Sequence, residues 1–248
     1  MKLGDVRSQA LNTERSQQRY LAVVDGDPNH RFYLSMLLQR FEYRVVAAGS
    51  LVEALKTISV AAPALVIADV DLPGDGARQL LRRLREDPRT RSTAAIGQLT
   101  NGLDPAVYLR SGFDACLHKP VPAEELYRTV QAMVEPTPRA SIRIHTKLPV
   151  MVNGKPLDCV EGECASVLSE HGMYIRTLRP SPAKSRIEVI LTVKGRAIPI
   201  SAEVRYSHRF GEGPFGEPGM GLQFTDITPH DQEYIRQFIR EDVTRGIA

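Results

Sequence analysis

The sequence predicts two folds in series: an α/β unit built on a parallel sheet, then a small antiparallel β unit closed by a helix. Three observations carry this. In the first half, short apolar runs alternate with amphipathic stretches five times over, as a parallel sheet covered by helices on both faces requires. In the second half the period drops to two, in Ile187, Val189, Leu191 and Val193 and again in Ile198, Ile200, Ala202, Val204 and Tyr206, so one face of each strand is buried. Between them Glu135-Pro136-Thr137-Pro138 breaks a helix and starts a stiff, extended spacer. A length of 248 residues is comfortable for two domains.

Residues 1 to about 19 read as a polar arm. Leu21-Ala22-Val23-Val24 is a short strand ending at Asp25-Gly26-Asp27, and Pro28 opens a helix whose Leu34, Leu37, Leu38 and Phe41 share one stripe. Tyr43 to Ala47 forms a second strand, and Ser50 with Glu53 makes a capping box ahead of Leu55 and Ile58. The run Ala64-Leu65-Val66-Ile67-Ala68 feeds Asp69, and Asp71-Leu72-Pro73-Gly74 turns the chain into a helix over about Ala77 to Arg85. Ala94 to Leu99 is a fourth strand ending at Thr100, and a short helix covers roughly Pro105 to Arg110. Asp114 to His118 is a fifth strand followed by Lys119-Pro120, and the last helix carries Leu126, Val130 and Met133 on one side.

Asp25, Asp69, Thr100 and Lys119 therefore stand at the carboxyl ends of strands, the edge where open α/β sheets place their chemistry. The set suits phosphoryl transfer. A carboxylate is a weak phosphoryl acceptor unless the incoming negative charge is neutralised, by a carboxylate-held divalent cation and by a lysine ammonium. A hydroxyl can hydrogen-bond the transferred oxygens and report the modification to the fold.

Val23-Val24-Asp25, Asp69-Val70-Asp71-Leu72-Pro73, Leu99-Thr100 and His118-Lys119-Pro120 come in an order and spacing that resembles the receiver domain of two-component response regulators, over residues of about 19 to 134. The resemblance implies a flavodoxin-like five-stranded (βα)5 fold and phosphorylation of Asp69 by a sensor histidine kinase. It further implies Mg²⁺ held by Asp25, Asp69 and the backbone carbonyl of Asp71, contact of Thr100 and Lys119 with the phosphoryl group, and scope for a homodimer through the face of the last two helices. Two positions depart from the family pattern. Gly26 stands where a second acidic residue normally binds the metal directly, and Cys116 stands where an aromatic switch residue is common.

In the second half, clusters of Gly and Pro at 153–156, 180–183 and 211–219 punctuate the strands, and Gly219-Met220-Gly221-Leu222-Gln223-Phe224 is the last of them. Asp231 to Arg240 closes the unit as a helix with Tyr234, Phe238 and Ile239 as its apolar face. About six strands and one helix predict a small barrel. No nucleophile has a paired base, and His145, His171, His208 and His230 read as surface or turn residues. Arg139 and Arg143 are either a solvated basic edge or a pair of guanidiniums able to clamp a phosphodiester or stack on a purine.

Arg139-Ala140-Ser141-Ile142-Arg143, Ser169-Glu170-His171-Gly172 and the glycine-rich last strand together resemble the PilZ family over about 138 to 242. Members are often cyclic-di-GMP receptors that use an RxxxR pair and a [DN]xSxxG turn. The resemblance implies a cyclic-di-GMP site formed by Arg139, Arg143, Ser169 and Gly172. Val167 replaces the acid or amide that would hydrogen-bond a guanine edge, a loss of about 1–3 kcal/mol, roughly ten- to a hundredfold in affinity.

The sequence thus divides into an arm (1–19), a receiver (20–134), a linker (135–138) and a PilZ domain (139–242). The expectation is a cytoplasmic signalling protein rather than a metabolic enzyme. It would pass phosphorylation, cyclic-di-GMP or both to a downstream protein in motility, polysaccharide or biofilm control. The alternative is a scaffold in which both eroded sites survive only as protein-binding surfaces. A net charge of +3 is too small to argue for nucleic acid, and the second half lacks a helix-turn-helix pattern. No apolar run approaches the roughly 20 residues of a membrane helix, and the N-terminus lacks the apolar core of a secretory signal. The three cysteines, Cys116, Cys159 and Cys164, read as reduced, and Cys159 and Cys164 lack a second ligand pair for a metal.

Overall fold

The computed structural model describes residues 20–212 and 216–247, so the polar arm expected before Tyr20 lies outside the described residues. Two compact units are present: the described residues up to Ala140, together with 244–247, form one, and Ser141–Val243 the other.

The first unit alternates β1 (Tyr20–Val24), α1 (Pro28–Arg40), β2 (Arg44–Ala48), α2 (Leu51–Val60), β3 (Leu65–Asp69), α3 (Gly76–Glu86), β4 (Ala94–Leu99), α4 (Pro105–Arg110), β5 (Ala115–His118) and α5 (Ala123–Val134). The five strands are parallel in the order β2-β1-β3-β4-β5, the doubly wound order of flavodoxin-like sheets. The order reverses between β1 and β3, which opens a crevice at their carboxyl ends. Local chemistry sets the helix starts. Asp27 caps α1 by accepting from the Asn29 N–H at 2.9 Å with Pro28 in the first turn; Ser50 caps α2 by accepting from the Glu53 N–H at 3.3 Å, while the Glu53 carboxylate accepts from the Gly49 N–H, one residue before the cap the sequence predicts. Both sheet faces are covered. Ala22, Val24, Val66 and Ala68 pack with Ile58 of α2 and Leu80, Leu81 and Leu84 of α3. The alternate residues Leu21, Val23, Leu65 and Ile67 point to the other face, where α1 and α5 bury Leu34, Leu37, Leu38, Leu126 and Val130.

The second unit contains β6 (Arg143–Leu148), β7 (Val150–Val152), β8 (Lys155–Pro156), β9 (Cys164–Ser169), β10 (Gly172–Arg176), β11 (Arg186–Val193), β12 (Arg196–His208), β13 (Gly219–Asp226) and α6 (Pro229–Thr244). Its antiparallel sheet has eight strands, ordered β6-β9-β10-β13-β12-β11-β7-β8, where the sequence suggested about six. The two extra strands are the short β7 and β8. Asn153 and Gly154, both at positive φ (48° and 75°), turn them into a hairpin, and this Asn-Gly pair was the signal that the punctuation hid. The period-two residues Ile187 to Val193 and Ile198 to Val204 are buried as expected. Tyr206 departs from that alternation. A bulge between Val204 and Tyr206 inserts one extra residue into β12 and turns Tyr206 to the outer face, where it is 45% exposed. In α6 the buried stripe is Asp231, Ile235, Ile239 and Val243. Tyr234 and Phe238 instead lie half-buried beneath the Arg196 guanidinium and the Lys194 ammonium, at 4.7 and 5.8 Å. Asp231 is buried because it accepts from Arg196 and Thr228.

Candidate functional site

The crevice gathers three of the four strand-end residues. Asp25, just past β1, is fully buried, and Asp69 closes β3 with 7% of its surface exposed. Lys119 is fixed by its N–H to the Leu99 carbonyl at 2.8 Å, and its Nζ stands 3.0 Å from both Asp25 Oδ2 and Asp69 Oδ2. Asp69 Oδ1 accepts the Asp71 N–H at 3.1 Å. Thr100 lies exposed beside them, and its hydroxyl donates to Asp71 Oδ2 at 2.5 Å rather than to Asp69 or Lys119.

Two residues here escaped the sequence reading. His30 Nδ1 lies 2.6 Å from Asp25 Oδ2, and Arg31 donates to the Asp25 carbonyl at 2.5 Å. Both sit in the first turn of α1, which the Pro28 start aims at the end of β1. His30 Nε2 is buried and has no hydrogen-bond partner among the described residues. Burial alone would raise the Asp25 carboxyl, but hydrogen bonds from His30, Lys119 and the Asp27 N–H outweigh it and hold it below the ordinary carboxylate range. Burial likewise disfavours the Lys119 ammonium, and its contacts with Asp25 and Asp69 reverse this and raise it. The result is an Asp25–Lys119–Asp69 row with an ammonium beside the Asp69 carboxylate, the arrangement that lets Asp69 meet an anionic phosphoryl group.

The donor set for Mg²⁺ is one carboxylate short of the family pattern, with Asp25, Asp69 and the Asp71 backbone carbonyl as the residues that would hold it. That ion demands near-octahedral oxygen ligands. Asp25 Oδ2 accepts from both His30 and Lys119, whereas Asp25 Oδ1, Asp69 Oδ1 and Asp69 Oδ2 each take one contact and keep a lone pair for a cation. Gly26 supplies no donor, although nothing lies within 4 Å of where its Cβ would stand. Asp27, the next carboxylate, is used as the α1 cap. Among the described residues no three His, Cys, Asp or Glu side chains are grouped as metal ligands.

The barrel residues are placed as follows. Arg139 lies on the segment after α5, where its N–H donates to Gln131 Oε1 at 2.9 Å, and Arg143 opens β6; the two belong to different units. Arg143 pairs across the ladder with Ser169, and Ser169 pairs with Gly172 through the two-residue turn Glu170-His171. Ser169 Oγ donates to the Gly172 carbonyl at 3.0 Å and so locks that turn. Gly172 is required because a Cβ there would overlap the Leu222 carbonyl of β13. Glu170 is ion-paired with Arg236 of α6, whose guanidinium holds it below the usual carboxylate range.

One rung along, His145, Val167, Tyr174, Gly221 and Tyr206 form a continuous cross-strand row over five strands. Val167 is half-buried in that row, between His145 and Tyr174. Burial, with Tyr206 and Glu217 adding, pushes the Tyr174 phenol up to about 12, so it stays neutral.

Comparison with known proteins agrees with both halves. Residues 21–131 match the response regulator receiver domain, and residues 137–241 match the PilZ domain. The chain is 35% identical over 116 residues to an uncharacterised 14.6 kDa protein from the sodA1 3′ region of Leptolyngbya boryana, covering 46% of this chain and 88% of that protein. It is 31% identical over 117 residues to the response regulator Rre1 of Synechocystis, covering 46% of this chain and 51% of that one. The chemotaxis response regulator CheY4 of Vibrio cholerae aligns at 24% identity and a TM-score of 0.43, covering 46% of this chain and 98% of that chain. With its five-stranded parallel sheet, its Asp25–Lys119–Asp69 row and the antiparallel barrel after it, the chain belongs to the response regulators, as a receiver domain followed by a PilZ domain.

Proposed function

We propose that this response regulator accepts a phosphoryl group on Asp69 from a sensor histidine kinase. We further propose that its PilZ domain binds cyclic-di-GMP through Arg139, Arg143, Ser169 and Gly172, and that it relays the combined state to a protein partner in the cytoplasm. The observation that carries the first part is the Lys119 ammonium, 3.0 Å from the carboxylates of both Asp25 and Asp69. In the transfer, an Asp69 carboxylate oxygen forms the new O–P bond. The P–N bond of the donor phosphohistidine breaks, and the imidazole leaves with that electron pair and takes up a proton. Lys119 offsets the charge on the incoming oxygens, and the Thr100 hydroxyl gives up Asp71 to reach them. Mg²⁺, where held by Asp25, Asp69 and the Asp71 carbonyl, would supply further neutralisation of the phosphoryl charge.

The second part is supported by the Arg143–Ser169–Gly172 rung, which sets Arg143 directly across the ladder from the turn that carries the motif. The two domains act in signalling rather than metabolic turnover. Two measurements test the proposal. Intact-mass spectrometry after incubation with phosphoramidate should show one added phosphoryl group, absent from Asp69→Asn. Calorimetric titration of cyclic-di-GMP should show micromolar binding that Arg143→Ala abolishes. A scaffold is the second reading, favoured by the closing of Asp25 by His30, and it requires that both measurements be silent.

A further inference from the structure

The bulge that turns Tyr206 outward has a counterpart on the facing strand. Gly221 lies directly opposite Tyr206, and a Cβ at Gly221 would overlap the Tyr206 ring. Two residues back, a Cβ at Gly219 would stand 2.6 Å from the Tyr174 hydroxyl and 2.7 Å from its Cζ. Both rings therefore lie flat across the outer surface of β13, side by side over two glycines of one strand. Their centroids are 6.3 Å apart and their planes differ by 28°. His208 continues the series, 5.3 Å from Tyr206. An aromatic residue on the outside of a sheet ordinarily stands up from it. Here the absence of two side chains lays the rings down, so their π faces look outward.

This platform is continuous with the motif rung. Tyr174 pairs with Val167, whose neighbour across β6 is His145, two residues from Arg143. At the ordinary strand spacing, Tyr174 on β10 lies about 10 Å from the strand that carries Arg143, a span a purine nucleotide bridges from its phosphate to the far edge of its base. The row offers flat aromatic faces at Tyr174 and Tyr206 and an aliphatic side chain at Val167, where an edge-reading amide or acid would stand.

We propose that Tyr174 and Tyr206 form a stacking platform for a purine of the bound cyclic dinucleotide, and that this site reads the base by its face and not by its edge. The inference rests on the cyclic-di-GMP reading above and adds its specificity. Stacking on an aromatic ring tolerates any base, because every base has a π face. The protein therefore discriminates weakly between guanine and adenine.

The test is calorimetric titration of the full-length protein with cyclic-di-GMP and, separately, cyclic-di-AMP, repeated with Tyr206→Ala and Tyr206→Phe. The expected result is that both nucleotides bind the unaltered protein within about tenfold of each other, the size of effect one hydrogen bond gives. Tyr206→Ala should weaken both alike, by roughly five- to a hundredfold, and Tyr206→Phe should leave both nearly unchanged. If cyclic-di-GMP binds and is lost in Arg143→Ala but not in Tyr206→Ala, the platform is overturned while the receptor reading stands. A preference for guanine above a hundredfold in the unaltered protein also overturns it, with no variant needed. If neither nucleotide binds, the platform and the receptor reading fail together.

Discussion

The carboxylate pocket and the outer face of the barrel each lack one polar side chain of their family pattern, and each meets the loss differently. In the pocket, Gly26 leaves one carboxylate missing, and the remaining buried Asp25 is enclosed by Lys119, His30 and the Asp27 N–H. On the barrel, Val167 leaves one edge-reading group missing, and beside it lie the half-buried Tyr174 ring and the exposed Tyr206 ring. The difference follows from burial. A charge out of contact with water must be paired by the chain itself or the fold loses several kcal/mol. A half-buried row without a charge has no such requirement, so its chemistry is free to shift from hydrogen bonding to stacking.

Breaking the pocket should therefore cost stability, while breaking the barrel face should cost only binding. The largest effect is expected for Lys119→Ala, which strips the shared cation from buried Asp25 and should destabilise the receiver by about 3–5 kcal/mol in urea unfolding. A loss below about 1 kcal/mol would mean that His30 alone suffices to hold Asp25. His30→Leu should cost less, about 1–3 kcal/mol, and should change the pH profile. Asp25 has a folded carboxyl below its unfolded value, so its contribution is complete above about pH 4 and is lost as pH falls through the folded value. Without the His30 hydrogen bond the folded value rises, and acid unfolding should begin at higher pH; an unchanged acid limb would show that the bond is idle.

Val167→Asn should leave the melting temperature in place and sharpen the preference for cyclic-di-GMP over cyclic-di-AMP by about tenfold. Equal affinities in that variant would place base recognition elsewhere. The smallest effect is expected for Gly26→Asp, whose side chain enters open space. Its stability without metal should stay within about 0.5 kcal/mol, and added MgCl₂ should raise its melting temperature by more than it raises the parent's.

Both folds were readable from periodicity, and the core of the pocket was readable because Asp25, Asp69 and Lys119 each end a strand. The rest was hidden for physical reasons. His30 lies one turn before Leu34 on the same helix stripe, so its inward aim was available in the spacing, but its partner on β1 was not. Tyr206 continues a perfect alternation in β12, and only the bulge, a property of two strands in register, turns it outward. Gly221 opposite it, and Gly219 beneath the Tyr174 ring, were the trace of this in the sequence. The β7–β8 hairpin was missed because two- and three-residue strands carry no period at all.

The measurement that bears most directly on the account is intact-mass spectrometry of the protein after phosphoramidate treatment, run with MgCl₂ and with a chelator. The pocket's own cations predict one phosphoryl group on Asp69 in both conditions, absent from Asp69→Asn. Modification only with MgCl₂ would show that Lys119 and the other cations of the pocket are not sufficient by themselves. No modification in either would remove Asp69 as an acceptor and leave the receiver a scaffold.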